Sequence, residues 1–310
     1  MSADVAATGE PIDTHSPIQR VRNWFANPWG KPRFLKLFMW LYLIWSLAPV
    51  LIAIQFGFND GRSRTAWQGF SLLWYTGDPD LSVWHDPSLR SAFFQTLKLA
   101  GATMIIATPI GVALAIGLAR WRGRASKPAN FLMLFPLITP EIVLGVALFL
   151  VFVYLFQVVA LGTVAQILGH ITFTISYVVI IVRGRLFAIG REYEEAARDL
   201  GASAAQALRL VLLPMLAPAI WACLAIAFAI SIDDFVISYF LRGGAGTDTI
   251  PTKLYSGLRL APSPALNALA TILLVLSMLA ITAAAMFLNR LRKREGTKGS
   301  AIEELARLDI

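Results

Sequence analysis

From residue 35 onwards the chain alternates long apolar runs with short polar, basic stretches. A helix needs about 20 apolar residues to cross the hydrocarbon core of a bilayer. Six segments meet that length: Leu35–Phe56, Ala92–Ala119, Phe131–Phe156, Gly162–Leu186, Pro214–Leu241 and Ala265–Leu288. No window outside them is long and apolar enough to add a seventh. The pattern predicts an all-α integral membrane protein of about six transmembrane helices. It places a polar N-terminal segment at 1–34, a membrane domain at 35–288 and a polar tail at 289–310. The first apolar run is too long for a cleaved signal peptide and reads as an uncleaved anchor.

Composition agrees with a bilayer environment. Hydrophobic residues make up 57% of the 310 and charged residues 15%, and mean hydropathy is +0.64. Soluble domains carry about a quarter charged residues. The net charge of +8 does not point to nucleic acid, because the basic residues lie in the gaps between apolar runs. Their distribution instead orients the protein. With the N-terminus inside, the four inner segments hold five, four, five and six Lys and Arg, and the two outer segments three each. That asymmetry predicts both termini in the cytoplasm. Trp24, Trp29 and Trp40 flank the first run, and Trp67, Trp74, Tyr75 and Trp84 crowd the first outer loop, as interfacial aromatics do. The stretch Phe70–Tyr75 is too short to span and reads as lying on, or dipping into, the outer surface. Cys223 is the single cysteine, inside an apolar run, and reads as a small buried hydrophobe.

The inner segment Arg183–Pro214 is the most informative. Glu192, Glu194 and Glu195 cluster where a helix begins, offsetting its exposed N–H groups. Gly201 ends that helix, Ser203 is a candidate N-cap for a second one, and Pro214 opens the next span. The second stretch carries Leu208, Val211 and Leu212. The spacing predicts a helix–Gly–helix elbow over about 190–213, with an apolar side suited to a groove on a partner.

The order Glu195-Ala196-Ala197, three residues, Gly201, nine residues, Val211, one residue, Leu213-Pro214 resembles the EAA loop of ABC importer permeases of type I. Val211 stands where that pattern has Ile. The stretches FSLLWY, His170–Val179, Ser231–Phe240, Pro251–Arg259 and Asn267–Ser277 are similar to the spermidine/putrescine permeases of that family. The resemblance spans roughly residues 70–288 and implies the type I permease fold, with a polyamine as the solute or, since sister systems share much of this sequence, a different small solute. It assigns Glu195, Ala196, Ala197, Gly201, Leu213 and Pro214 to coupling with an ATPase. It also implies the partners: a cytoplasmic ATPase subunit dimer, a second and related permease chain, and an extracytoplasmic solute-binding protein, all at the cell inner membrane.

Charges inside apolar runs are costly and mark function. Glu141 lies about ten residues into the third run, roughly 15 Å along a helix, after Pro136 and Pro140, which break the hydrogen-bond ladder. Asp233 and Asp234 lie in the outer part of the fifth run, with Tyr239 and Phe240 beyond them. Carboxylates beside aromatic faces suit a polyvalent ammonium. Glu141, Asp233, Asp234 and Tyr239 are therefore candidates for the solute path. His170, with Thr172, Thr174 and Ser176, reads as interhelical hydrogen bonding, and Gly111, Ala115 and Gly117 as close-packing positions.

The sequence has no phosphate-cradling P-loop, no HExxH, no paired Cys/His cluster and no GxSxG. It is therefore not expected to be an enzyme or to hold a cofactor, ATP and Mg belonging to the partner ATPase. An ion-coupled secondary transporter is the other class to weigh. That class often shows inverted repeats with matching broken helices, which this sequence lacks, and it has no use for an EAA loop.

Overall fold

The computed structural model describes residues 33–63, 66–121, 123–260 and 263–294. The described residues fall into two units, divided between Ile52 and Ala53. The first unit is most of helix α1 (Arg33–Gly57), whose large apolar side chains point outward, Trp45 at 75% exposure. The second unit holds everything else.

Helix α2 runs from Pro87 to Arg120. The sequence pattern starts this span at Ala92, but the polar PSLR stretch is helical because Asp86 caps it. The Asp86 carboxylate accepts the N–H groups of Ser88 at 2.7 Å and Leu89 at 3.3 Å, and Pro87 sits where no N–H is needed. The 34 residues make a rod of about 50 Å, longer than the hydrocarbon core is thick.

The third apolar run is not one straight helix. It divides into α3 (Ser126–Leu132), a short turn at Phe135–Ile138, and α4 (Glu141–Leu150), which continues through a wider turn to Leu155. The limbs on either side of Thr139–Pro140 meet at 107°. Pro136 and Pro140 are the physical cause, since neither can donate to the ladder. Five other helices are long and apolar enough to cross a membrane. Whether the bent pair crosses as well follows from its neighbours. Helix α5 (Thr163–Ile189) runs parallel to α2. Gln95 Nε2, near the start of α2, donates to Gln166 Oε1 and Thr163 Oγ1 at 2.9 Å, near the start of α5. Farther along, a Cβ on Gly111 would lie 2.6 Å from Val178. Two parallel neighbours require a return crossing between them, so α3 and α4 read as one broken span, and the described residues hold up to six candidate crossings.

After α5, a short helix α6 (Glu192–Asp199) leads to an elbow and then to α7 (Leu213–Asp233), which returns antiparallel to α5. Arg185 Nε donates to the Met215 carbonyl at 3.4 Å, and Cys223 Sγ lies 3.9 Å from the Val178 carbonyl. The fifth apolar run also breaks: α7 stops at Asp233 and resumes as α8 (Val236–Phe240). Helices α9 (Ile250–Leu260) and α10 (Pro264–Arg294) complete the unit.

Three apolar clusters form the core. In the first, Trp74, Ala100, Ile232, Ile250 and Leu269 are buried. The sequence places Trp74 with the interfacial aromatics, yet it is 1% exposed, and its indole Nε1 donates to the Asn59 carbonyl at 2.7 Å. The turn Leu73–Gly77 thus docks into the fold, while Phe70 and Leu72 remain outside. The middle cluster joins Val112, Ala115, Val178, Leu212, Leu216 and Cys223. Gly111 and Ala115 are close-packed here, as their size suggests, whereas a Cβ on Gly117 would meet nothing within 4 Å. The third cluster places Phe152 and Ala165 against Ile237 and Leu241 of the broken fifth span.

Candidate functional site

Two regions carry the chemistry-bearing residues. The first is the elbow between α5 and α7. Gly201 has φ +88°, a left-handed conformation, and the space where its Cβ would stand is open. Glycine is needed there for backbone freedom and not for room. Ser203 caps the next turn through a reciprocal pair: Gln206 N–H donates to Ser203 Oγ at 3.3 Å, and Ser203 N–H donates to Gln206 Oε1 at 2.8 Å.

Glu195, Ala196 and Leu200 are exposed on α6, Leu200 at 90%, together with Tyr193. The second stretch behaves differently from its sequence reading. Leu212 is fully buried, and Leu208 and Leu213 pack against the same cluster, so this apolar side is covered by the chain's own α2 and α5. Of the six residues assigned to coupling, Glu195, Ala196 and Gly201 stand open on the surface, as does Pro214 at the start of α7; Ala197 is half-buried and Leu213 faces inward. Glu194, which the sequence reading left within a general acidic cluster, is buried and paired with Arg120.

The second region lies where α4 and α7 break. Asp234 sits between α7 and α8 with its side chain 5% exposed. Its Oδ2 accepts the Ser238 N–H at 2.9 Å, capping α8, and lies 3.1 Å from His170 Nε2. His170 Nδ1 lies 2.7 Å from Ser231 Oγ, and Nε2 is also 2.9 Å from Ser238 Oγ. With the proton on Nε2, the ring donates to Asp234 and accepts from Ser231. Sequence periodicity gave His170 an interhelical hydrogen-bonding role, and it has one, with Asp234 as the added partner. The other oxygen, Asp234 Oδ1, is buried without a hydrogen-bond donor. The neighbouring carboxyl is that of Glu141, at the first position of α4, with Asp233 also close enough to interact. Glu141 and Asp233 are both exposed on the single chain. Three of the four solute-path candidates therefore converge.

The fourth, Tyr239, stands in a ring cluster with Phe235 at 5.3 Å and Tyr255 at 5.7 Å. Its face already carries the Arg242 guanidinium, 4.3 Å from the centroid, and Arg259 lies likewise over Tyr255. Sequence reading missed Tyr255 and both arginines as parts of this cluster; they lie in the segment 242–259, which only folding brings in. Behind the cluster, Gln166 Nε2 donates to the Ser238 and Thr247 carbonyls, each at 2.9 Å, so this buried amide is well satisfied. Among the described residues no three His, Cys, Asp or Glu side chains are grouped so as to hold a metal ion.

Comparison with known proteins identifies the family. The family described as binding-protein-dependent transport system inner membrane component matches residues 107–294. The chain is 34% identical over 264 residues to the spermidine/putrescine transport system permease protein PotC of Escherichia coli strain K12, covering 85% of this chain and 93% of that protein. It is 34% identical over 253 residues to the putrescine transport system permease protein PotI of the same organism, covering 80% and 86%. Among solved structures, a bacterial ABC transporter involved in import of the acidic polysaccharide alginate matches with TM-score 0.65 at 18% identity, covering 89% of this chain and 98% of that one. The chain therefore belongs to the inner-membrane permease components of binding-protein-dependent ABC transport systems.

Proposed function

We propose that this permease imports a polyamine of the putrescine or spermidine type. The alginate transporter shares the fold and carries an acidic polymer, so the fold alone does not choose the charge of the solute. The site residues support a cation. Glu141 and Asp233 are exposed carboxylates on an otherwise apolar membrane surface, and Asp234 behind them has a buried oxygen with no donor. That unsatisfied oxygen is the observation that carries the reading. A buried acceptor without a donor is costly, and a primary ammonium brings three N–H donors and a positive charge to a group of three carboxyls. Exposed carboxylates in lipid are disfavoured in turn, so this face belongs against a wet path shared with a second permease chain. The names of PotC and PotI support the same solute class.

In this reading α6 is the coupling helix. Its exposed Glu195, Ala196 and Leu200 meet a cytoplasmic ATPase, and both termini lie on that side. A solute-binding protein delivers the polyamine at the outer face. The test is the ATPase rate of the assembled complex. It should rise when the binding protein is loaded with putrescine or spermidine and stay at its basal level with a neutral or anionic solute; stimulation by an anion would exclude the reading.

A further inference from the structure

The Arg120–Glu194 pair is one of two contacts in the fold that bear on how the cytoplasmic elbow communicates with the acidic cluster. Arg120 is the last residue of α2, and Glu194 lies in the first turn of α6, 74 positions along the chain. Their side chains, Arg120 Nη2 to Glu194 Oε1, form an ion pair with exposures of 34% and 11%. Glu192 and Glu195, on the same short helix, are exposed. The carboxylates of α6 thus divide: Glu194 turns inward to a span, and Glu195 faces outward. Arg120, Arg191 and Glu194 line two cavities of about 220 and 140 Å³ beside the pair, while the second stretch of the elbow is packed through Leu208 and Leu212.

The second contact lies farther up the same rod. Thr103 is buried on α2, and its Oγ1 is 3.5 Å from Ser231 Oγ, which bonds His170, which in turn bonds Asp234. Arg120 and Thr103 are 17 residues apart on one continuous helix, roughly 25 Å along its axis. At its outer end the same helix holds the start of α9, where Thr96 Oγ1 accepts the Ile250 N–H at 2.8 Å. One helix, with Pro109 inside it, therefore touches the elbow at one end and the carboxylate cluster nearer the other.

We propose that Arg120 and Glu194 act as positioning residues that fasten the coupling helix to α2, making α2 the rod that links ATPase-driven movement of the elbow to the His170–Asp234 site. The proposal rests on the reading of α6 as the coupling helix. An ion pair suits the task because it is strong in a half-buried setting yet holds with a single contact. Removing one partner leaves the other charge unpaired and takes away the ion pair that ties α6 to the end of α2.

The test uses the complete complex, permease pair, ATPase and binding protein, in proteoliposomes with radiolabelled putrescine. Uptake per ATP hydrolysed and copurification of the ATPase are measured together. Arg120→Ala and Glu194→Ala should keep the ATPase at wild-type stoichiometry but lower uptake per ATP at least fivefold. Arg120→Lys should retain most of the coupling. The exchanged variant Arg120→Glu with Glu194→Arg should recover at least half of it, because the same ion pair re-forms in the opposite sense; uptake per ATP at unchanged ATPase stoichiometry is the readout that a merely structural role would not move. Wild-type coupling in the single Ala variants overturns the proposal, as does loss of the ATPase from them, which would place the pair in docking itself. Failure of the exchange to recover coupling also overturns it. A wild-type complex showing no ATP-dependent uptake would instead overturn the coupling-helix reading on which the proposal rests.

Discussion

His170 Nε2 lies 3.1 Å from Asp234 Oδ2, joining the middle of one span to the break in another. Without the ring, this buried carboxylate would keep the Ser238 N–H and hydroxyl and the Glu141 carboxyl as partners. Removing the ring while keeping the carboxylate leaves a buried charge short of donors. His170→Leu is expected to destabilise the protein by on the order of 3 kcal/mol. Adding Asp234→Leu should recover part of that loss, because both polar partners then leave together. Thermal unfolding of the purified protein in detergent checks both; equal additive losses would show that the two residues do not interact.

Gly201 separates conformation from size. Its φ is +88° and the space around its missing Cβ is empty. A bulky side chain therefore meets no clash, only backbone strain of about 1–3 kcal/mol. Asn tolerates the left-handed region and Val does not. Gly201→Asn should keep uptake near wild type, whereas Gly201→Val should uncouple ATP hydrolysis from uptake while the chain stays inserted. Equal behaviour of the two variants would mean that the bend is not what matters.

Orientation follows from the arrangement of Lys and Arg and is open to direct labelling. Asp80 in the first outer loop and Ala205 in the elbow are both exposed and outside the core clusters. Cysteines at these two positions, in a Cys223→Ala background, should react with an impermeant maleimide from opposite faces of the membrane. Asp80→Cys should label from outside intact cells and Ala205→Cys only after permeabilisation. Labelling from one side would overturn the cytoplasmic placement of the termini.

The outer loop carries its own pH dependence. The Asp78 carboxyl is held below its ordinary range, first by the N–H of Asp80, then by that of Leu81, with smaller help from Arg62 and His85. The two N–H groups lie 2.9 and 2.8 Å from Oδ1. A lowered folded-state pKa means the stabilisation is present above the unfolded value, near 4, and is lost as pH falls through the folded one. Protection of the Asp80 and Leu81 amides from hydrogen exchange should therefore fall in acid relative to neighbouring loop amides, and Asp78→Asn should show no such pH step. An identical step in the variant would assign it to another group.

Much of the fold was legible because membrane spans are written as apolar length. What escaped the pattern were events that length does not encode. The 34-residue α2 begins earlier than its apolar stretch because one aspartate, Asp86, caps it. The break at Asp233–Asp234 is invisible to hydropathy, since the flanking residues stay apolar on both sides; only the local capping of Ser238 by Asp234 defines it. Pro136 and Pro140 did announce the break in the third span. At the elbow, the Gly and Ser signals located both turns, but the same periodicity that marks an apolar face cannot say whether a partner or the chain itself covers it. Leu208 and Leu212 are covered by the chain. The convergence of Glu141 with Asp233 and Asp234 was foreseen as three separate charges, whereas the pairing of Glu194 with Arg120 depends on two spans being parallel, which no local signal reveals.

The central claim is that this permease passes a cationic solute at the expense of ATP, along a face marked by Glu141, Asp233 and Asp234. The most direct measurement is uptake of radiolabelled putrescine and spermidine into proteoliposomes holding the complete complex, with and without ATP. Comparison is made with Glu141→Gln and with the Asp233→Asn, Asp234→Asn double variant. The account predicts ATP-dependent uptake that falls about tenfold in these variants while the ATPase stays bound and its basal hydrolysis is unchanged. Uptake by the permease chain alone, driven by an ion gradient, would contradict it, as would full transport after all three carboxylates are neutralised.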